Sequence, residues 1–206
     1  MEYTSVRDEW AGRSGEYSPR YYAYYGPNET SELVRATLGR YLEDDAAVLE
    51  IGCSSGRHLA HLAAHGFGNL SGVDINAEAF DVMAEQYPAL AADGTFYCGP
   101  IEDVIGDFDD GQFDAVYSVE TLQHLHPDAE WVFEEVTRIT GDVLVTVENE
   151  GTAHGSPPPD VDVNYVDEAI PLYYRNWNRV FTSLGFVEVD AVRADRDTAR
   201  TFRASG

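Results

Sequence analysis

A glycine-containing turn and a later acidic residue are the parts of the sequence best suited to bind a ligand. Residues 46–51 form a short apolar run, and a turn with glycines at positions 52 and 56 follows at once. Small residues let the backbone approach a ligand, and amides at the start of a helix favour an anionic group. Asp74 ends the next predicted strand, where its carboxylate can accept hydrogen bonds from both ribose hydroxyls of a nucleoside. The spacing therefore predicts a nucleotide-type ligand at this turn.

Two side chains that can exchange protons follow the strand predicted for Phe113–Val119. Glu120 and His124 come just past its carboxyl end, the edge at which open α/β sheets bind ligands. Either side chain can act as a base toward an acceptor group. The alternative for His124 is a structural role in the His-Leu-His-Pro turn, and the alternative for Glu120 is a contact with the ligand or the glycine turn.

Strands and helices alternate over most of the chain, and this order specifies a mostly parallel sheet covered on both faces. Helices are predicted for residues 29–42, 57–64, 77–87, 128–139 and 172–184. Seven strands are predicted for residues 46–51, 70–74, 95–98, 113–119, 142–147, 186–192 and 198–204, the last two antiparallel at one edge. The fold class is therefore α/β. The Tyr-rich residues 1–30 are predicted to form a lid, and residues 31–206 the ligand-binding domain.

With these motifs in place, the chain resembles the class I S-adenosylmethionine (SAM) dependent methyltransferases, which have a Rossmann-like seven-stranded sheet. Their turn, E/D-x-G-x-G-x-G, matches Glu50-Ile51-Gly52-Cys53-Ser54-Ser55-Gly56, with Ser54 in place of the middle glycine. The resemblance implies that Gly52, Ser54 and Gly56 line the methionine portion of SAM, with Glu50 and Cys53 completing the turn. It also implies that Asp74 binds the ribose and that Ile75 packs on the adenine.

Two further motifs belong to the same resemblance. After the third strand the family often has Gly-Asp-Ala, whereas this chain has Gly99-Pro100-Ile101-Glu102, so adenine recognition would fall to Ile101 and Glu102. The run 113–125 matches the family pattern F-D-x-V-x-S-x-x-x-L-x-H-L and adds Ser118 to the expected cofactor site. The resemblance implies an enzyme that transfers a methyl group from SAM. We expect a small-molecule acceptor, with oxygen more than nitrogen as the methylated atom, and no metal, since no carboxylate cluster has a clear ligand spacing.

Other functions fit the sequence less well. A NAD-type fingerprint, G-x-G-x-x-G, would need glycine at positions 54 and 57, where the chain has serine and arginine, so a dinucleotide oxidoreductase is disfavoured. A SAM-binding partner subunit without catalysis remains the main alternative. The chain lacks the N-P-P-Y type of motif expected after the fourth strand of nucleic-acid methyltransferases.

Outside the main motifs, several residues have two interpretations. Five tyrosines of the predicted lid could form an aromatic acceptor pocket or a flap on the surface: Tyr17, Tyr21, Tyr22, Tyr24 and Tyr25. Arg175 could face an acidic substrate or form an ion pair, the second being favoured. His126 is expected in a solvated loop, and His154 is a candidate gate residue in the Pro-rich loop.

The charge balance is unusual, because 37 acidic residues stand against 13 basic ones and the net charge is −24. Every basic residue is Arg. Such self-repulsion weakens a compact state at low salt, whereas molar salt shortens the screening length to roughly 3 Å. The composition therefore predicts a halophilic protein. It also argues against nucleic acid as a partner, since no Lys/Arg cluster is present to displace counterions from phosphates.

Two cysteines, Cys53 and Cys98, are too few for a disulfide framework and lack metal-ligand spacing. Neither an apolar leader nor a run of 18 apolar residues is present. We therefore expect a cytoplasmic protein that does not interact with membranes. The sequence makes no prediction about oligomeric state.

Overall fold

The computed structural model describes residues 3–151, 162–167, 170–193 and 196–205. Its helices are α1 Tyr3–Ala11, α2 Pro19–Tyr25, α3 Glu29–Leu38, α4 Arg57–Ala64, α5 Glu78–Gln86, α6 Pro88–Asp93, α7 Ile101–Val104, α8 Trp131–Ile139 and α9 Trp177–Ser183. Its strands are β1 Ala47–Ile51, β2 Asn69–Asp74, β3 Thr95–Cys98, β4 Phe113–Val119, β5 Thr140–Glu148, β6 Asp162–Asp167, β7 Ile170–Tyr174, β8 Phe186–Arg193 and β9 Thr198–Ala204.

Within the described residues, seven strands form one sheet in the order β3-β2-β1-β4-β5-β9-β8. The first five pair in parallel, whereas β9 pairs antiparallel with both β5 and β8. The strand order reverses beside β1, so the carboxyl ends of β1 and β4 border a crevice, as expected where a ligand binds in such sheets. The predicted fold class is confirmed.

Helices cover both faces of the sheet, and alternate residues of the central strands supply the two cores. Leu49 and Ile51 pack with α7, α8 and α9, including Trp177, while Val48 packs with α3 and α4 on the other face. This two-sided burial explains why the parallel strands are nearly continuous apolar runs.

The prediction of one helix over 172–184 was wrong. Residues 170–174 form β7, which pairs with β6 in a separate two-stranded antiparallel sheet, and α9 begins only at Trp177. The side chain of Asn176 accepts a hydrogen bond from the Arg179 amide and begins the helix. Strand β6 was also missed, since it lies in a stretch expected to be loop.

Several helix boundaries differ from prediction for local reasons. α3 ends at Leu38 rather than at residue 42, with Gly39 after it. Pro88 does end α5, yet it also starts α6, because proline fits the first turn of a helix. No helix in the described part of the chain is long and apolar enough to cross a membrane. The Pro-rich loop with His154 lies outside the described residues.

Candidate functional site

A pocket opens at the carboxyl ends of β1, β2 and β4, with α1 and α2 on its opposite side. It holds about 1170 Å³ of space, including its open mouth. Nine of the predicted site residues line it: Gly52, Cys53, Ser54, Asp74, Ile75, Ile101, Glu102, Glu120 and His124. The structure therefore brings the two halves of the predicted site, the glycine turn and the segment after β4, into one cavity.

The glycine turn has a backbone that only small residues tolerate. Gly52, Ser54 and Gly56 have φ angles of 74°, 47° and 80°, all in the left-handed region. A Cβ at position 52 would collide with Thr121 after β4. Gly52 is thus required by the close approach of two chain segments beside the pocket.

Four amides of this turn donate to acceptors within the protein. Those of Gly52 and Cys53 donate to the Val73 carbonyl at 2.8 and 3.0 Å, and that of Gly56 donates to the Cys53 carbonyl at 2.9 Å. The Ser54 amide donates to Asp74. These four groups shape the pocket wall, so charge recognition there falls to side chains.

Asp74 is the acidic side chain at the centre of the pocket wall. Its Oδ2 accepts the Ser54 amide at 2.7 Å and its Oδ1 accepts the Asn76 amide at 2.8 Å. Burial raises the pKa of Asp74, and these two hydrogen bonds oppose the rise. Each carboxylate oxygen keeps a second lone pair, which suits a diol such as ribose. Ile75 and Ile101 beside it give that end of the pocket an apolar surface.

Three residues predicted to bind cofactor are not part of the pocket lining. Glu50 is buried and its Oε2 accepts the Tyr117 hydroxyl at 3.0 Å, and burial raises its pKa well above the ordinary value. Gly56 lies against α5 and α6, where a Cβ would come within 2.9 Å of Met83 and Leu90. Ser118 is buried and donates to Glu148 at 2.6 Å. In this structure Glu50, Gly56 and Ser118 contact residues outside the pocket and do not line it.

His124 lines the pocket with a fixed tautomer. Its Nδ1–H donates to the Pro171 carbonyl at 3.0 Å, which leaves Nε2 as the acceptor nitrogen. Burial lowers the pKa of His124 to about 4, so the ring is neutral at neutral pH. The indole of Trp10 packs on it with ring centroids 4.8 Å apart. The geometry of His124 is therefore compatible with both expected roles. Its Nδ1 is bound to β7, as a structural residue would be, and its Nε2 is unprotonated, as a base would be.

Glu120 also lines the pocket, on a backbone with a φ of 51°. Its carboxylate forms an ion pair with Arg196. Its amide donates to the Val147 carbonyl at 2.8 Å. A non-glycine residue in the left-handed region costs of order 1–3 kcal/mol and is often found at functional sites. Glu120 is therefore held at the pocket by β5 and by Arg196.

Glu148, at the end of β5, is a residue that the sequence analysis missed. The carboxylate is buried and accepts the Ser118 hydroxyl and the amides of Thr121, Leu122 and Gln123, at 2.6 to 3.3 Å. Burial raises its pKa from 4.5 to about 7, against the effect of these four donors. Glu148 thereby fixes the turn that carries His124. Its only sequence signal is an acidic residue ending an apolar strand.

Some arginine and aromatic side chains of the pocket were not among the predicted site residues, and others had been given two interpretations. Arg57, directly after the glycine turn, places its guanidinium 4.6 Å from the Tyr22 ring centre, and burial lowers its pKa. Arg13 lies 5.9 Å from the ring centre of Trp10 and 5.7 Å from that of Tyr17. Both guanidinium groups lie at the pocket wall, where an anionic part of a ligand would find its counter-charge.

The remaining candidates divide between the pocket and the outer surface. Tyr17 and Tyr22 line the pocket, whereas Tyr24 and Tyr25 are exposed. Arg175 is buried away from the cavity, where it donates to the Leu125 carbonyl at 2.8 Å and pairs with Glu130, in line with the favoured ion-pair interpretation. His126, expected in a solvated loop, lines the pocket and packs on Tyr173.

Known proteins are similar to this chain in part of its sequence and in its fold. Residues 48–142 match a family model described as a methyltransferase domain. EEF1A lysine methyltransferase 2 from Danio rerio is 32% identical over 59 residues, which are 29% of this chain and 25% of that protein. The chain therefore spans about a quarter of the length of this relative.

Solved structures resemble the chain over nearly its whole length. Magnesium protoporphyrin IX methyltransferase from Synechocystis, solved with SAM, has a TM-score of 0.68 at 16% identity and covers 100% of this chain and 98% of its own. A Burkholderia thailandensis 1,6-didemethyltoxoflavin N1-methyltransferase, solved with S-adenosylhomocysteine and its substrate, has a TM-score of 0.66 at 18% identity, covering 99% of this chain and 84% of its own.

The sheet order and the pocket at its carboxyl edge define a Rossmann-like methyltransferase fold. Residues 48–142 match the methyltransferase domain model, and the fold is the one found in these neighbours, one of which was solved with SAM. The residues present fit that cofactor: a carboxylate with free lone pairs for a diol, an apolar wall for a purine, and guanidinium groups for a carboxylate.

Proposed function

We propose that this protein transfers a methyl group from SAM to a small-molecule acceptor, oxygen more than nitrogen. The observation that carries the proposal is the neutral His124, which shares one cavity with Asp74 and the glycine turn. A neutral imidazole nitrogen can accept the hydrogen of a hydroxyl, which favours an oxygen acceptor. The matched proteins are named for EEF1A lysine, magnesium protoporphyrin IX and 1,6-didemethyltoxoflavin, so the acceptor assignment rests on this site.

The residues proposed to hold SAM follow from the chemistry of the pocket wall. Asp74 would accept the ribose hydroxyls, and Ile75, Ile101 and Glu102 would surround the adenine. Arg57 would balance the carboxylate of the methionine portion, since four of the turn amides are already paired. When bound, SAM supplies an activated methyl group, so the protein contributes mainly position and charge.

His124 and Glu120 are the proposed catalytic residues. With its Nδ1–H bound to Pro171, His124 can take a proton only at Nε2, and Trp10 limits the movement of the ring. Glu120 is the second candidate base, with its charge shared with Arg196. A base with a pKa near 4 is weak, so its proposed part is to orient and polarise the acceptor as the methyl group moves.

Residues 1–30 are proposed to act as the lid. Arg7 pairs with Asp103 at 2.6 Å, and Arg20 pairs with Glu78 at 2.8 Å, so α1 and α2 are each tied to the domain. The Asn76 side-chain amide donates to the Trp10 carbonyl at 3.3 Å and to the Arg13 carbonyl at 3.2 Å, near the end of α1. A covered pocket excludes water from the reaction.

Two measurements test the function. Calorimetry with SAM, S-adenosylhomocysteine and NAD should give binding of the first two and none of NAD. A panel of hydroxylated, carboxylated and amino compounds, read out by S-adenosylhomocysteine release, should then identify an oxygen acceptor. NAD binding without SAM binding would overturn the assignment. SAM binding without turnover on any acceptor would favour the alternative, a partner subunit that binds SAM without catalysis.

Replacing Asp74 by Ala should weaken SAM binding at least about tenfold, roughly 1.4 kcal/mol, because a charge-assisted contact to the ribose is lost. Calorimetry measures the change. Asp81→Ala, which removes an exposed carboxylate on the neighbouring helix α5, is the matched control and should bind SAM as the parent does. Equal affinity of the Asp74 variant and the parent would remove Asp74 from the cofactor site.

Salt should stabilise the protein, because the net charge of −24 makes the folded state repel itself at low ionic strength. We propose a salt-rich cytoplasm as its working environment, in keeping with the two free thiols among the described residues. The melting temperature should rise between about 0.1 M and about 2 M KCl, as the screening length falls well below 10 Å. A melting temperature that stays constant over this range would contradict the halophilic assignment.

A further inference from the structure

Two histidines and a glutamate come together on the far side of helix α4, outside the pocket. Glu32 lies on α3, His61 lies on α4, and His65 follows the last residue of α4. One ring nitrogen of each histidine and one carboxylate oxygen lie within 4.8 Å of one another. Nothing in the proposed methyl transfer uses this Glu32–His61–His65 cluster.

The spacing within the cluster is close to that of metal ligands. His61 Nε2–H donates to Glu32 Oε2 over 3.0 Å. Ligands of a tetrahedral zinc site, with bonds of about 2.0–2.1 Å, lie roughly 3.3 Å apart. A cation in place of the shared proton would therefore meet a nitrogen and an oxygen with little rearrangement. The two imidazole rings lie 4.3 Å apart, four residues apart at the end of one helix.

The groups around the cluster orient its ligands. His65 Nδ1–H donates to the His61 carbonyl at 2.8 Å, which leaves Nε2 of His65 as the unprotonated nitrogen. A hydrogen bond of this kind, from the other ring nitrogen to a carbonyl, is what usually orients a metal-binding histidine. Arg35 donates to both oxygens of Glu32, at 2.8 and 2.6 Å, and fixes the carboxylate.

From this geometry we propose that the Glu32–His61–His65 cluster binds a late first-row divalent cation, with Zn²⁺ as the expected ion. Two imidazoles and one carboxylate suit Zn²⁺ and its neighbours, whereas Mg²⁺ and Ca²⁺ prefer oxygen ligands throughout. Water would complete the coordination. The positive charge of Arg35 opposes a cation, so the expected affinity is micromolar rather than nanomolar.

The place of the cluster gives the cation a structural role. It would join α3 to α4, a pair of helices already connected by the Ser31 hydroxyl and His58 Nδ1 at 2.8 Å. Helix α4 begins at the glycine turn, and His58 lines the pocket. A metal here would hold the helix behind the cofactor turn without touching the cofactor.

The test is titration of the chelator-treated full chain with ZnCl₂ in a calorimeter, repeated with MgCl₂. We expect one Zn²⁺ per chain, no comparable binding of Mg²⁺, and a melting temperature raised by a few degrees by Zn²⁺. His65→Gln and Glu32→Gln should each weaken Zn²⁺ binding by about tenfold or more. Glu29→Gln, which changes an exposed carboxylate at the start of the same helix, is the matched control and should leave it unchanged.

Binding of S-adenosylhomocysteine by each variant separates this proposal from the methyltransferase assignment, since the cluster lies outside the pocket. Unchanged affinity for that ligand shows that the variants are folded. No Zn²⁺ binding by the parent chain, or Zn²⁺ binding that both cluster variants retain, would overturn the proposal. Equal binding of Mg²⁺ would also overturn it, because a merely acidic surface would then account for the result.

Discussion

Replacing Glu148 by Ala is expected to lower the free energy of unfolding by about 3–5 kcal/mol, the largest effect on stability foreseen here. The carboxylate is buried and accepts one hydroxyl and three backbone amides between the ends of β4 and the following turn. Alanine leaves all four donors without this partner in a site closed to water, and each buried unpaired donor costs about 1–3 kcal/mol. Chemical denaturation followed by circular dichroism measures the loss.

Glu43→Ala is the matched control, since that glutamate is exposed and should change stability by no more than about 0.5 kcal/mol. Equal stability of the Glu148 variant and the control would mean that the turn holds its shape without the carboxylate. Because the same turn carries His124, the Glu148 variant should also lose methyl-transfer rate at temperatures where it remains folded.

The raised pKa of Glu148 gives a second signature of the same residue. The folded state binds the proton more tightly than the unfolded chain, with a pKa of about 7 against 4.5. Its contribution to stability is therefore fully present below pH 4.5 and is lost as the pH rises to 7, by about 3 kcal/mol. Glu148→Gln lacks this titration. The stability of the parent relative to that variant should fall across this window, and a constant difference would contradict the burial of an ionisable group.

Replacing His124 by Ala should lower the single-turnover rate of methyl transfer by about 10²-fold, while SAM affinity stays within a few-fold. The reason is position, because His124 lines the pocket at the end of β4 and presents its unprotonated Nε2. Rapid mixing with the identified acceptor measures the rate. With a pKa of about 4, the ring stays neutral, so the rate limited by it should be level from about pH 6 to pH 8.

Glu120→Gln is the parallel variant. A larger loss of rate there than in His124→Ala would move the role of base to the carboxylate. Full rate in both variants would mean that the reaction proceeds by positioning alone. If His124→Ala instead melts early or loses SAM binding, its hydrogen bond to Pro171 is its main contribution, and the structural interpretation of the turn is the correct one.

The parallel half of the fold was predictable because its sequence signals are local. Residues 57–64, 95–98 and 113–119 were placed with the bounds that the structure gives them. The β6-β7 hairpin was missed because an apolar run such as 170–174 fits both a helix and a strand. The pairing with β6 makes residues 170–174 a strand, and a short stretch of sequence does not show which other segment it pairs with.

The part of the site that could be predicted consists of the motif residues that line the pocket. The turn, Asp74 and His124 share a cavity, as the spacing suggested. The function of the turn amides was not predictable, since three of the four donate to acceptors on β2. Glu148 could not be found because its four donors come from a segment 25 to 30 residues earlier in the chain.

The position of β9 has a consequence for how the chain acquires its structure during synthesis. Although β9 is made after β8, it lies between β5 and β8 in the sheet. Until residues 198–204 have left the ribosome, β5 has an open side and β8 has no partner in the sheet. The first five strands can assemble earlier, since a chain folds from its N-terminal part as it is made. The nascent protein thus carries an uncovered edge on β5 from the completion of that strand, and this edge is covered only when β9 is inserted.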